Sequence, residues 1–379
     1  MTPRTLTYFI AFIALGLASA SMGPTLPTLA AHTGVTLAEI SILFVARSLG
    51  YLSASLTAGR LFDHLSGHLL MALALLFMAG MLALIPLLPL LWLLTLVIFL
   101  LGLAESMLDL GGNTLLVWEH GEGVGPAMNA LHFCFGVGAF LAPIIVAWSL
   151  QRSNDIIWAY GLLALLMLPV LARLLTLPSP KPRSAASQTP SQPLRRKFIL
   201  WIVLFFFLIV GIEASVGGWL YTFGVRTTPL GPTAAAYLTS AFWGALTGGR
   251  LLAIPLATRL RARVILLIDL LGILLCLILL LAWPGRVWAV WAAAIVAGLA
   301  IASLFPTTIT FASRRMLLSG RVTGWFFAGA SLGGMSLPWV IGQFFERSGP
   351  MILPQLLLLA LLAAFAIFAL LVRQGRGGW

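Results

Sequence analysis

The sequence predicts an all-α membrane protein with twelve transmembrane helices arranged as two six-helix bundles. Three observations carry this reading. Of 379 residues, 61% are apolar and 8% are charged, too few charges to cover the surface of a water-soluble chain of this length. The apolar residues fall in long blocks such as 9–20, 69–84, 198–210 and 356–372, which with their flanks reach the ~20 residues needed to cross a bilayer. The basic residues then divide unevenly between the two sides of the membrane.

The spans run over 6–31, 39–62, 68–89, 91–117, 126–151, 155–176, 198–224, 232–257, 263–283, 286–312, 320–345 and 351–373. A stretch rich in Pro, Ser, Gln and basic residues divides them six and six. This predicts bundles over 1–177 and 198–379 joined by a flexible cytoplasmic linker over 178–197. The first span continues past Gly23 and Pro24 without a convincing cleavage context, so it reads as a retained helix. With the N terminus inside, seventeen of the 22 Lys and Arg lie on the cytoplasmic side. Only Arg152, Arg226, Arg286 and Arg347 lie outside, and Arg47 stays within a span. The positive-inside rule therefore places both termini in the cytoplasm, with a bacterial inner membrane as the expected location.

The net charge of +12 belongs to these loops. No basic face interleaved with aromatics lies outside the spans, so nucleic acid is not an expected partner. Cys134 and Cys276 both fall within apolar spans without metal-ligand spacing and read as packing residues. No P-loop, metal cluster or hydrolase triad is present, so neither an enzyme nor a bound cofactor is expected, and the chain is expected to act as a monomer in the lipid bilayer.

An internal repeat supports the two halves. Leu56-Thr57-Ala58-Gly59-Arg60-Leu61 matches Leu246-Thr247-Gly248-Gly249-Arg250-Leu251 at an offset of 190, and Gly138 and Pro143 match Gly333 and Pro338 at an offset of 195. Between the second and third spans, Gly59-Arg60-Leu61-Phe62-Asp63-His64-Leu65-Ser66-Gly67-His68 combines a glycine-rich helix end with an acid and a basic cluster.

The last segment resembles the cytoplasmic gating motif of the major facilitator superfamily, with His64 and His68 at its usual closing Arg/Lys positions. The resemblance marks Gly59, Arg60, Asp63 and Gly67 as gating residues, with Gly249 and Arg250 as their counterparts in the repeat. More specific stretches are Leu108-Asp109-Leu110-Gly111-Gly112-Asn113, Ala130 to Ala139, Gly211-Ile212-Glu213 with Gly217-Gly218-Trp219-Leu220-Tyr221, and Phe242-Trp243-Gly244 with Gly249-Arg250-Leu251-Leu252. Together these resemble the sodium-dependent glucose transporter-like branch, related to the fucose:proton symporters. The resemblance implies a secondary active transporter of a small polar solute, a monosaccharide above all, with proton or sodium coupling and alternating access. An exporter or flippase of an amphipathic or lipid-linked substrate is the alternative. The fucose symporters carry an acid in the first span, where this chain has none, and Glu213 in the seventh span is the residue that could take its place.

Charges inside a bilayer cost a few kcal/mol each on insertion scales and persist where they face a cavity or a partner. Glu105, Asp109 and Asn113 stand at i, i+4 and i+8 of the fourth span and so share one face. Two neighbouring carboxylates suit proton or sodium binding, and neutralising Arg47 and His132 is their plain structural alternative. Arg47 needs an anion, with Glu105 and Glu213 as candidates by depth. Glu213 precedes the Gly217-Gly218 pair, which can loosen a helix and expose backbone to a ligand. His132, with Asn129 one turn earlier, is a candidate pH-sensitive group beside Asp109. Trp219, Tyr221 and Trp243 could stack on a sugar ring, and Gln343 could bond its hydroxyls. Asp269 is expected to pair with loop arginines.

Overall fold

A computed structural model of the chain describes residues 2–180, 196–316 and 320–374. Its regular structure is helical throughout, with no strand among the described residues. The helices are α1 (Pro3–Thr33), α2 (Leu37–Ile40), α3 (Ile42–Thr57), α4 (Gly59–His64), α5 (Gly67–Leu84), α6 (Leu91–His120), α7 (Gly125–Ser153), α8 (Ile157–Thr176), α9 (Arg196–Thr227), α10 (Pro232–Arg259), α11 (Ala262–Ala282), α12 (Val287–Ile301), α13 (Leu304–Ser313), α14 (Gly320–Phe345) and α15 (Ile352–Gln374). Ten helical segments among the described residues are long and apolar enough to cross a membrane. α10 and α14 are as long, at 28 and 26 residues, but Gly, Ser and Thr dilute their apolar content, and α10 also carries Arg250. Most of the linker expected over 178–197 lies outside the described residues.

Local sequence sets the helix ends. Thr2 caps α1 by accepting from the Thr5 amide, Pro3 occupies the first turn, and Gly34 closes the helix at φ 67°. Thr36 and Glu39 form a reciprocal capping box on α2. Two expected spans are each broken. Residues 39–62 divide at Ser41 and at Ala58, and 286–312 divide at Ala302 and Ser303, Ala302 lying four residues before Pro306. Apolar content continues across these breaks, which is why hydropathy alone reads each as a single span.

Hydrogen bonds define two faces of the bundle. The start of α1 meets the end of α6 through Arg4–Glu119 at 3.0 Å and Thr5–His120 at 2.8 Å. On the same face, His68 bonds the Tyr8 hydroxyl at 2.7 Å and the Leu177 carbonyl at 2.9 Å. We call this the terminal face. His68 is buried there and ties α1, α5 and the end of α8 together, a role unlike the exposed closing base of the gating motif. At the opposite, distal face the two halves of the chain meet. Gln343 on α14 donates to the Ala38 carbonyl at 2.9 Å and to Ser41 at 3.1 Å, and Glu346 accepts from the Leu37 amide at 3.1 Å.

Packing supports the repeat and corrects its register. Gly16 and Gly138 bring α1 and α7 so close that a Cβ on either would collide with the other helix's backbone carbonyls. Gly333 does the same to the Phe207 carbonyl, joining α14 to α9. Gly138 and Gly333 are therefore equivalent at the 195-residue offset. Likewise Gly102 abuts the Arg47 carbonyl and Gly298 the Phe242 carbonyl. The 190-residue match is out of step with this register. Gly59 opens α4 in open space after a break, whereas Gly249 is buried inside unbroken α10 against Leu299 and Ala302. Gly249 and Arg250 are thus not the structural counterparts of Gly59 and Arg60.

Gly138→Val should lower the stability of the purified protein by roughly 1–3 kcal/mol or more, because a backbone carbonyl cannot rotate away. Gly80→Ala, with nothing within 4 Å of the added carbon, should leave the melting temperature unchanged or raise it slightly. Equal behaviour of the two variants would remove the close-packing account.

Candidate functional site

The first cluster lies where α3 and α6 run side by side. The Arg47 guanidinium grips Glu105 with both oxygens engaged, at 2.8 and 3.0 Å, and donates a third bond to the Ser19 carbonyl of α1 at 3.1 Å. Glu105 is 1% exposed and Arg47 23%. Of the two candidate anions for Arg47, the structure selects Glu105. One turn further on, the Tyr51 hydroxyl donates to Asp109, whose other oxygen accepts from the Asn113 amide at 2.9 Å. Arg47 to Tyr51 and Glu105 to Asp109 are both i, i+4 steps, so two matching helix faces meet in register. Tyr51 was not expected from the sequence. The constant separation of 58 residues between 47 and 105, and between 51 and 109, is the signal that identifies it. Asp109 has no cationic partner within ion-pair distance among the described residues.

The second cluster lies between α9, α10 and α7. Glu213 is half-buried, and among the described residues its carboxylate has neither a hydrogen bond nor an ion pair. Arg250 of α10 is the cation whose charge acts on it, without the approach to 4.0 Å that makes an ion pair. Arg250 reaches instead for the His132 carbonyl of α7, at 3.4 Å. It therefore stands within the helix interior and not in a cytoplasmic loop. One turn along α9 from Glu213, a Cβ on Gly217 would stand 2.9 Å from the Trp243 ring. The antiparallel course of α9 and α10 puts Gly217 beside Trp243 and Glu213 toward Arg250. The Trp243 indole N–H is buried without a hydrogen-bond partner, an unmet donor of the kind that buried sites normally satisfy.

The remaining expected residues fall elsewhere. His132 lies edge-on to Phe12, 5.8 Å between centroids, and close to the Arg250 charge, while the bonds at Asp109 come from Tyr51 and Asn113. Asn129 is exposed on α7. Trp219 is fully buried, donates to the Pro338 carbonyl at 2.9 Å and stacks on Phe345 at 4.8 Å, with Phe44 nearby. Its ring is occupied by protein and is unavailable for stacking on a solute in this conformation. Tyr221 is buried among Ala147, Ala235 and Ala236, away from Glu213. Gln343 spends its amide on the distal contact to Ala38 and Ser41. Gly67 packs against Leu115. The side chains of Arg60 and Asp63 lie outside the described residues. No group of three or more His, Cys, Asp or Glu among the described residues could hold a metal ion.

Long apolar helices around buried and partly accessible charges are the make-up of a polytopic transporter. Residues 8–338 match the Major Facilitator Superfamily. The chain is 30% identical over 372 residues to sodium-dependent glucose transporter 1A of Mus musculus, covering 88% of each chain. Its fold is similar to that of the nucleoside transporter NupG, with a TM-score of 0.76 at 15% identity over 100% of both chains. A D-xylose-proton symporter also shares the fold, with a TM-score of 0.74 at 14% identity over 96% of both chains. The chain belongs to the Major Facilitator Superfamily.

Proposed function

We propose that this protein is a cation-coupled secondary transporter of a neutral polyhydroxylated solute, of which a monosaccharide is the leading case, and that Glu213, Arg250 and Trp243 contact the solute. The observation that carries this is the unbridged Glu213–Arg250 pair beside the unmet Trp243 N–H. A hydroxylated solute donates to a carboxylate while accepting from a guanidinium and an indole, so one uncharged molecule can satisfy all three. An anionic solute would meet the Glu213 charge. The similarity to a sodium-dependent glucose transporter and the shared fold with a xylose–proton symporter support the same class. Asp109, without a counter-cation among the described residues, is the group we assign to the coupling proton or sodium ion.

In this reading the chain crosses the membrane twelve times, α10 and α14 included, as bundles over 1–177 and 198–379 joined through 178–197. Their lengths of 28 and 26 residues correspond to about 42 and 39 Å of helix, ample for a bilayer. Moving Arg250 out of the loops leaves sixteen basic residues on the side read as cytoplasmic against four outside, a bias that still supports a cytoplasmic terminal face. The bonds joining the halves at the distal face then correspond to a conformation closed toward the outside.

Purified full-length protein in liposomes should accumulate a labelled monosaccharide under an inward sodium or proton gradient. Glu213→Gln should abolish uptake. Trp243→Phe, which keeps an aromatic six-membered ring but removes the N–H along with the pyrrole part of the indole, should raise the apparent KM at least about 2–10-fold, the worth of one hydrogen bond. Wild-type affinity in Trp243→Phe, or transport of amphipathic lipids in place of any sugar, would overturn the assignment.

A further inference from the structure

A third intramembrane acid stands apart from both clusters. Asp269, two turns into α11, is 6% exposed, and the Ser303 hydroxyl donates to it at 2.5 Å. Ser303 is itself 5% exposed. It is not paired with loop arginines: among the described residues no basic side chain comes within ion-pair distance. To stay ionised, a carboxylate in this setting needs a positive charge that the described residues do not supply.

The surroundings supply further oxygen donors. Ser303 sits in the interruption between α12 and α13. Pro306 has no N–H, so the Ala302 carbonyl, in a residue 2% exposed, lacks its helical donor. The end of α12 also carries the negative pole of its helix dipole. One turn from Asp269, Gly272 lets α11 close on α12, with a Cβ there only 2.7 Å from the Ala300 side chain. In an antiparallel pair, contact of 272 with 300 brings 269 opposite 303, so close packing fixes the acid at the break. Carboxylate, hydroxyl and a freed carbonyl at a broken helix are the donor set by which transporters hold small hard cations. A proton would need the carboxylate alone.

We propose that Asp269, Ser303 and the backbone freed at the α12–α13 interruption form a sodium-binding site, separate from Asp109 and from the solute contacts. The site does not depend on the solute assignment above. It adjoins that cluster physically: a Cβ on Gly249, the residue before Arg250, would lie 2.7 Å from the Ala302 side chain. Sodium bound at the break therefore bears on the segment of α10 that holds Arg250.

The test is thermal stability of the purified full-length protein titrated with sodium chloride, against choline and potassium chloride at equal ionic strength, with no solute added. Wild type should show a saturable, sodium-specific rise in melting temperature. Asp269→Asn keeps a partner for Ser303 and should lose the rise. Ser303→Ala should need about tenfold more sodium. Glu213→Gln should retain it, which separates this site from the solute assignment. A wild type that responds equally to all three salts, or an Asp269→Asn variant that keeps the sodium response, would overturn the proposal.

Discussion

Arg47→Met should destabilise the protein by about 3–5 kcal/mol, the usual cost of leaving one member of a buried ion pair alone. Glu105, 1% exposed, would keep its charge or its polarity with no donor in place of two. The damage extends beyond the pair, because Arg47 also holds the Ser19 carbonyl and so joins α1 to α3 and α6. Melting temperature and folded yield in detergent report the loss. Arg47→Lys should recover only part of it, since an ammonium cannot reproduce the two-pronged grip on the carboxylate. Arg47→Met combined with Glu105→Gln should be more stable than Arg47→Met alone. If the single variant melts like the wild type, the pair does not hold the first half of the chain together.

Asp109→Asn should abolish concentrative uptake while preserving exchange of solute down its own gradient. Asparagine can still accept from Tyr51 and bond Asn113, so the local geometry survives and only the charge is lost. A transporter without its coupling charge equilibrates solute to an inside-to-outside ratio near one, whereas each tenfold accumulation requires about 1.4 kcal/mol from the driving ion. Counterflow and gradient-driven uptake in the same liposomes separate the two behaviours. Tyr51→Phe leaves the carboxylate with one donor fewer and should change the cation dependence without removing accumulation. Undiminished accumulation in Asp109→Asn would take Asp109 out of the coupling role.

Much of the fold is legible in the sequence because one strong signal governs it. Apolar runs with Gly, Pro or charged flanks must become helices in lipid, where unpaired backbone is too costly. The helix ends accordingly fall close to the expected span ends. What hydropathy misses is a change of backbone course inside an apolar run, as at Ala58 and at Ala302–Ser303. The site was legible in part. Glu105, Asp109, Asn113 and Glu213 stand out because charge in a membrane needs a reason. Tyr51 does not, since a tyrosine in a span is ordinary until its i, i+4 relation to Arg47 is set against that of Glu105 and Asp109. Arg250 was misplaced because a short Gly-Arg match outweighed its depth in α10, and the close helix contacts at Gly138 and Gly333 give the truer offset. Trp219 and Gln343 show a different limit: their types suit sugar binding, but which element takes up their polar groups depends on long-range packing that no local pattern encodes.

The distal junction has a consequence for speed. Its polar ties are Gln343 to Ala38 and Ser41, Ser41 to the Trp339 carbonyl, and Glu346 to the Leu37 amide, each worth about 0.5–1.5 kcal/mol net and up to about 3 for the carboxylate. Beside them Ser41 packs on Gly342, and Phe44 lies against Trp219 and Gly218, so the junction is held by neutral polar and van der Waals contacts and by one carboxylate–amide bond, with no ion pair bridging it among the described residues. Opening it parts many individually weak contacts, and the cycle need not wait on the breaking of a buried ion pair. The strong Arg47–Glu105 grip stays within the first half of the chain, where it need not break as the halves part.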